Sequence, residues 1–202
     1  MEDYTEHNEK LSNEYDRFVV RVHYKGEEYY TLRGGDWQDN YFDKVLLDGE
    51  ESLLLFKTID NAIDYAKNWE NLFDKENWEA WLSQIKLPIE PGLSINLDLL
   101  NVDSMDLDNF PAYIHTVDAI DFAEEYCDQV DLCWGVDMEN GNGKGKGSLN
   151  GISTVVDKYI KGDEKERNNI IRQYRVGIMS MDYIITNQKL LYTAVSNRVK
   201  IM

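Results

Sequence analysis

The alternation of apolar and polar residues near the start of the chain predicts an antiparallel sheet. The runs Arg17–Tyr24 and Glu28–Leu32 are rich in β-branched and aromatic residues, and a Lys-Gly-Glu tripeptide between them favours a turn. Two further apolar runs, Lys44–Leu47 and Ser52–Phe56, flank an Asp-Gly-Glu tripeptide. Each pair of runs therefore predicts a β-hairpin.

The segments beside these runs lack a strand pattern. Residues 1–14 are polar and acidic, which is typical of a flexible chain start. Arg33–Asp36 contains two consecutive glycines, which predicts a loop after the first hairpin.

The apolar period becomes helical after Thr58. Thr58 is a suitable N-cap, and Asp60 lies in the first turn, where the helix dipole favours an acid. The rhythm slips after Phe73 and resumes towards Ile85, which predicts a second helix or a kinked continuation that ends before Pro88. Three tryptophans at helical spacing are expected to anchor the core, with a binding site as the alternative: Trp69, Trp78 and Trp81.

The strongest amphipathic pattern lies at 117–134, after an extended or loop-like segment at 88–110. Thr116 is the expected N-cap of this helix. One arc of the helical wheel is apolar and holds Ala119, Ile120, Phe122, Ala123, Tyr126, Cys127, Val130, Cys133 and Trp134. The opposite arc is acidic and holds Asp118, Asp121, Glu124, Glu125, Asp128 and Asp131.

The last third of the chain has weaker patterns. Gly141–Gly147 alternates glycine with polar residues, which predicts a flexible linker or an exposed loop. Short helices are expected in 152–174. Residues 177–202 fit a helix or a hairpin, and the apolar spacing favours the helix.

These elements predict an α+β fold. An N-terminal antiparallel sheet of two hairpins is packed by helices and is followed by a mainly helical C-terminal part. The predicted regions are 1–87, the acidic region 88–148, and 149–202. The alternative is that all three regions form a single domain, which the chain length also allows.

The net charge and its distribution say more about the binding partner than the rest of the composition does. The chain has 202 residues, 38 acids and 21 Lys plus Arg, for a net charge of −17, and 43% of its residues are hydrophobic, as in globular proteins. From Leu87 to Gly143 there is no Lys or Arg. Such an excess opposes direct binding to nucleic acid or anionic membranes and favours a basic protein partner, with a role in solubility as the simpler alternative.

The expected cellular location depends on three features of the sequence: apolar runs, the chain start and the cysteines. No apolar run approaches the roughly 18 residues of a membrane span, and the acidic start is unlike a signal peptide. Cys127 and Cys133 are expected to be free, buried thiols on the amphipathic helix. We therefore expect a cytoplasmic protein.

Motifs for catalysis are missing. No frame around Asp98 to Asp108 fits an EF-hand loop, and the glycine-rich segment fits neither phosphate-loop pattern. The three histidines have no zinc spacing. We expect no enzyme, no catalytic or metal site and no cofactor; a nonstandard cation site and a dyad of His115 with a cysteine are the alternatives.

The acidic helix face is the main functional clue. Its like-charged pairs at i, i+3 and i, i+4 cost about 1–3 kcal/mol before salt screening. Six charges over about 20 Å approach the spacing of phosphates along a nucleic-acid strand. The expected partner-binding residues are Asp118, Asp121, Glu124, Glu125, Asp128 and Asp131, with Asp103, Asp106 and Asp108.

This strategy resembles that of acidic nucleic-acid mimics among antirestriction and anti-CRISPR proteins, and of nuclease-toxin immunity proteins. The resemblance rests on charge and composition, since no family motif is matched. It implies an inhibitor that covers a basic, nucleic-acid-binding site on a nuclease, a toxin or another enzyme. The alternatives are an acidic scaffold or assembly subunit, and a carboxylate- or metal-dependent hydrolase.

Overall fold

The structure, a computed structural model, describes residues 4–39, 42–103, 114–136, 144–145, 163, 165, 167–169 and 181–202. The chain forms two compact units, unit 1 (Met1–Ile95 with Arg198–Met202) and unit 2 (Asn96–Asn197). The predicted α+β fold is confirmed. Among the described residues, no helix is long and apolar enough to cross a membrane.

Both units are built from short elements. Unit 1 contains α1 (Thr5–Tyr15), β1 (Arg17–Tyr24), β2 (Glu27–Asp36), β3 (Phe42–Val45), β4 (Leu53–Leu55), α2 (Ile59–Asn68), α3 (Lys75–Gln84), β5 (Leu93–Asn96) and β8 (Val199–Ile201). Unit 2 contains a 3₁₀ turn (Leu97–Leu100), α4 (Ile114–Gln129), β6 (Gly135–Val136), β7 (Lys144–Gly145) and α5 (Met181–Ser196).

The first predicted hairpin is confirmed and is longer than expected. β1 and β2 pair antiparallel from Tyr24 opposite Glu27 to Arg17 opposite Gly34. Both turn residues, Lys25 and Gly26, are left-handed, with φ of 53° and 75°, and this twist matches that of the strands. The loop predicted at Arg33–Asp36 is wrong, because β3 pairs with this end of β2 and extends the sheet to the order β3-β2-β1-β5.

The second predicted hairpin is reduced to a tight turn. Its two arms share one antiparallel bridge, Leu47 to Leu53, and then separate. β3 joins β2, whereas the buried β4 pairs in parallel with β8. β8 was not predicted, since a parallel pair between distant segments leaves no local turn signal.

The flexible start predicted for residues 1–14 is also wrong, because most of this segment is α1. Leu11 on its inner side is buried in the core of unit 1. The buried Asn8 amide donates to the Lys86 carbonyl at 2.7 Å and accepts from the Lys86 N–H at 3.1 Å. These tertiary contacts stabilise a helix whose polar sequence is weakly helical by itself.

The helical predictions after residue 58 are confirmed. The Thr58 hydroxyl accepts from the Asn61 N–H at 3.2 Å and begins α2, and α3 is a separate second helix. Trp78 and Trp81 on α3 are fully buried, with their rings edge to face and their centroids 5.5 Å apart. They are core anchors, as the helical spacing predicted.

A buried arginine joins three elements of unit 1. The Arg17 guanidinium, at the start of β1, donates to the Asp74 carboxylate before α3 and to the Gly35 carbonyl on β2, the latter at 2.7 Å. It also lies over the Trp78 ring, 4.9 Å from its centroid. A Cβ at Gly34 would lie 2.7 Å from Arg17 Cδ, so glycine is required there. Burial lowers the pKa of Arg17, against the raising effect of Asp74.

Asp48 secures the turn between β3 and β4. Its carboxylate, 8% exposed, accepts from the backbone N–H groups of Glu50 and Ser52, each at 2.9 Å. It also accepts from Lys200 Nζ on β8 at 3.0 Å. Burial alone would raise the pKa of Asp48, but the Ser52 N–H, Lys200 and the Glu50 N–H together hold it below its ordinary value of 3.8.

Unit 2 is mainly helical in its described part. α5 confirms the helix expected within 177–202 over the hairpin, and α4 packs against α5 and the 3₁₀ turn. Within the segment 141–147, predicted as a flexible linker or an exposed loop, the structure describes Lys144 and Gly145, which pair antiparallel with Val136 and Gly135. The rest of that segment and nearly all of 152–174 lie outside the described residues.

We predict that Asp74→Asn destabilises unit 1 strongly. The substitution keeps the side-chain shape but leaves the buried Arg17 charge without its counter-ion, so the free energy of unfolding should fall by about 3–5 kcal/mol in urea titrations. Asp43→Asn is the matched control. It removes the partner of Arg33 in a more exposed pair and should cost under about 1 kcal/mol. Equal losses would contradict the central role of Arg17.

We also predict that the contribution of Asp48 depends on pH. A folded-state pKa below the unfolded value gives stability that is complete above 3.8 and is lost as the pH falls through the folded pKa. Asp48→Asn should therefore cost about 1–3 kcal/mol at neutral pH, and this difference should shrink as the pH falls below 3.8. Urea titrations across this range measure it, with the exposed Asp64→Asn as control. A constant difference would be the contrary result.

Candidate functional site

The helix that carries the acidic residues starts and ends earlier than predicted. α4 spans Ile114–Gln129, against the predicted 117–134. Thr116 is therefore not the N-cap; it lies in the first turn and is buried. Apolar spacing continues to Trp134, which concealed the end of the helix.

A left-handed residue ends α4. Asp131 has a φ of 48°. Its N–H donates to the Asp128 carbonyl at 3.3 Å, and the Leu132 N–H donates to the Cys127 carbonyl at 2.8 Å. This pair of bonds is a Schellman motif, in which glycine usually occupies the position of Asp131.

Because the helix ends before Cys133, the prediction that both cysteines are buried on it holds for Cys127 and is wrong for Cys133. Cys127 on α4 is a buried free thiol, as expected. Cys133 is also free but exposed, because it lies beyond the helix and not on the apolar arc. Val130 and Trp134 stay buried on either side of the turn.

One face of α4 is fixed in the core of unit 2. Its buried apolar side chains are those predicted for the apolar arc within the helix: Ala119, Ile120, Phe122, Ala123, Tyr126 and Cys127. They lie towards α5 and the 3₁₀ turn, against which α4 packs. The opposite face of α4 therefore points away from this core.

That opposite face, here called the acidic face of α4, consists of Asp118, Asp121, Glu124, Glu125 and Asp128. The three aspartates are exposed and the two glutamates are half-buried. Ten residue steps separate Asp118 from Asp128, so the carboxylates span about 15 Å along the helix. Asp131 is exposed but lies beyond the helix.

The charges along α4 are not placed where they stabilise a helix, which is acids in the first turn and bases in the last turn. The helix has no acid in its first turn and no base in its last turn, and its sequence contains no Lys or Arg. Asp128 lies in the last turn, next to the negative end of the helix dipole. Within α4 itself, no cation offsets this arrangement.

The other three predicted binding residues, Asp103, Asp106 and Asp108, do not lie on the acidic face of α4. Asp103 is exposed and accepts a hydrogen bond from Lys189 Nζ of α5 at 2.5 Å, and Lys189 lowers the pKa of Asp103. Asp106 and Asp108 lie outside the described residues. Within the described part of the chain, no group of three or more His, Cys, Asp or Glu could hold a metal ion.

A second exposed feature, on the β2–β3 hairpin of unit 1, was not expected from the sequence. Trp37 and Phe42 at its end are 46% and 60% exposed. The aromatic residues at 37 and 42 lie among acids at 36, 39 and 43, but the loop predicted at Arg33–Asp36 gave no reason to expect a hairpin there.

The chain is similar in fold to one solved structure, described as "The crystal structure of SatS c-terminal domain in complex with bromine". The TM-score is 0.51 and the sequence identity 10%, over 95% of this chain and 96% of that chain. At this identity the likeness shows the fold alone. No protein-family model and no curated protein matches the chain.

We predict that Asp131→Gly gives a more stable protein than Asp131→Ala. Both variants lose the carboxylate and its contacts, so the comparison isolates the backbone. Glycine adopts a φ of 48° without the Cβ penalty, which should be worth about 1 kcal/mol in the free energy of unfolding. Thermal and urea unfolding of the two variants measure the difference; equal stability would contradict a strained left-handed residue.

Proposed function

We propose that this protein is a non-enzymatic inhibitor or immunity-type protein whose acidic face of α4 covers a basic, nucleic-acid-binding site on a partner protein. The observation that carries the proposal is the row of five carboxylates along one face of a helix whose sequence contains no Lys or Arg. Asp131 adds a charge next to this row.

The spacing of the carboxylates supports mimicry of a nucleic-acid strand. Five charges over about 15 Å give one per about 4 Å, against one phosphate per about 3.4 Å of a DNA strand. A groove lined by Lys and Arg that binds phosphates is therefore matched in sign and approximately in spacing.

Rigid presentation supports the proposal as well. The apolar side chains of α4 are buried, so the backbone that carries the carboxylates is held in place before a partner arrives. A preorganised charge row loses less conformational entropy on binding than a flexible acidic tail does.

The cost of the arrangement points in the same direction. The acidic face of α4 contains five like-charged pairs at i, i+3 or i, i+4, which by themselves cost a helix about 1–2.5 kcal/mol before salt screening and before any pairing with cations outside α4. Mixed charges would keep the protein soluble without that cost. A binding role explains why the acids are concentrated on one face.

The proposed partner is a nuclease, toxin or other nucleic-acid-binding enzyme, and the proposed location is the cytoplasm. Cys127 and Cys133 are free thiols, which fits a reducing compartment. The strongly negative chain is not expected to bind nucleic acid or anionic membranes itself.

We predict that neutralising the exposed part of this face weakens the partner complex. The test variant is Asp118→Asn with Asp121→Asn and Asp128→Asn. Its control is Glu9→Gln with Asp64→Asn and Glu70→Gln, which changes the net charge equally on exposed residues of unit 1. The partner is first captured from the native cytosol and identified, and its Kd is then measured by calorimetry or interferometry.

The test variant should bind at least tenfold more weakly than the control, because close charge pairs across an interface couple by more than about 1.4 kcal/mol. Wild-type affinity should also fall from about 0.01 M to about 1 M salt, as the Debye length shrinks from about 30 Å to about 3 Å. A salt-independent complex, or equal losses in the two variants, would favour the scaffold alternative.

A further inference from the structure

A cavity in unit 1 is lined by α1, by the start of β1 and by residues 89–92, which lead into β5. We call it the α1 cavity, and its volume is about 260 Å³. This is room for about nine water molecules and lies just below the range of about 300–1,000 Å³ that is typical of drug-sized ligands. The size therefore suits a smaller organic molecule.

Hydrogen bonds hold the wall formed by residues 89–92 in place. Before this segment, the buried Asn8 side chain of α1 is bonded to both the carbonyl and the N–H of Lys86. At its end, the Gly92 N–H donates to the Val19 carbonyl of β1 at 3.0 Å. The segment is thus tied to both elements that form the other walls. The α1 cavity is a preformed part of unit 1 and does not need to open for a ligand.

Phe18 and Ile89 supply the main apolar part of the lining. Ile89 is buried and belongs to the core of unit 1. The Phe18 ring lies against Gly92, since a Cβ at that position would be 3.2 Å from Phe18 Cδ1. An aromatic ring and a branched aliphatic chain in one small cavity suit the apolar body of a ligand.

Ser12 adds a hydroxyl that the protein leaves without a hydrogen bond. It lies one helical turn after Asn8 on α1, lines the cavity and is 9% exposed. The Asn8 amide is bonded to backbone groups, whereas the Ser12 hydroxyl has no partner among the described residues. Burying an unpaired hydroxyl is unfavourable. A polar group inside the cavity would remove this cost.

The charged residues of the lining are both acids, Glu9 on α1 and Glu90 in the opposite segment. Both are exposed, and no described residue of the lining is a base. Lys86 is close in sequence but does not line the cavity; its Nζ lies 4.9 Å from the centroid of the Tyr4 ring. The electrostatic potential of the α1 cavity therefore favours a cation and opposes an anion.

We propose that the α1 cavity binds a small organic ammonium ion with an aromatic or bulky aliphatic body. The ammonium group, which has only donors, donates to the Ser12 hydroxyl and the Glu90 carboxylate, and the body packs on Phe18 and Ile89. An arylethylammonium ion of about nine non-hydrogen atoms fills this space, whereas the thin stem of a lysine side chain leaves much of it empty. The site lies in unit 1 and does not depend on the proposed function.

The experiment titrates the full chain with three probes that share a phenylethyl body: phenethylammonium, the neutral 2-phenylethanol and the anion 3-phenylpropionate. Assigned NMR spectra follow the backbone N–H signals of Ser12 and Gly92 and give the Kd. Gly26 in the β1–β2 turn is the remote reference, about 23 Å along β1 from Val19.

The test variants are Ser12→Ala and Glu90→Gln. Each has a matched control on an exposed residue of unit 1 outside the lining, Ser83→Ala and Glu14→Gln. Thermal unfolding shows that all four variants are folded under the conditions of the titration.

Phenethylammonium should shift the Ser12 and Gly92 signals but not that of Gly26. It should bind at least tenfold more tightly than 2-phenylethanol, because its hydrogen bonds are charge-assisted, and 3-phenylpropionate should bind more weakly still. Each test variant should bind phenethylammonium at least about threefold more weakly than its control, because one acceptor is lost.

Four results would overturn the proposal. Equal affinity for the amine and the alcohol would exclude recognition of the ammonium group, and unmoved Ser12 and Gly92 signals would place any binding elsewhere. Equal losses in Glu90→Gln and Glu14→Gln would assign the binding to the net charge of the chain. Tighter binding of Nα-acetyl-lysine methylamide than of phenethylammonium would point to a lysine of a partner protein, not to a small amine.

Discussion

The buried pair of Arg17 and Asp74 organises unit 1. Through the Arg17 guanidinium, the start of β1 is tied to the Gly35 carbonyl at the end of β2 and to the residue that precedes α3. The ring of Trp78 on α3 lies over this charge, and Gly34 leaves the space for the Arg17 side chain. A buried ion pair adds little net stability over apolar packing, but it strongly disfavours arrangements in which either partner is left alone. It therefore selects one register of strands and helix.

Local signals in the sequence predicted the elements that depend on local physics. The twist of the first hairpin follows from Lys25-Gly26, and the start of α2 follows from the hydroxyl of Thr58. The failures are elements that depend on distant residues. α1 is polar by composition and is stabilised by contacts such as Asn8 with Lys86. β2 continues through its glycines because β3 pairs with this end of the strand, and Gly34 leaves the space that Arg17 occupies.

The same distinction applies to the candidate site. The acidic face of α4 followed from helical periodicity, since the side chains that bury the opposite face are spaced at 3.6 residues. The end of the helix did not, because Asp131 takes a left-handed conformation without the glycine that signals it. The exposed rings of Trp37 and Phe42 were missed for another reason. They lie on a hairpin in which Asp36, from the segment predicted as a loop, pairs with Lys44, from a predicted strand, and local patterns do not reveal such a contact.

The pairing of β8 with β4 makes unit 1 discontinuous in sequence, and this affects how the protein is made. Unit 2 is synthesised between β4 and β8. At about 5–20 residues per second, the roughly 100 residues of unit 2 add about 5–20 s during which unit 1 lacks its last strand. In that interval the edge of β4 that later pairs with β8 has unpaired backbone groups. Such open strand edges can pair with other chains and cause aggregation. Unit 2 thus has time to fold on the ribosome, whereas unit 1 reaches its final hydrogen bonds only after β8 has emerged.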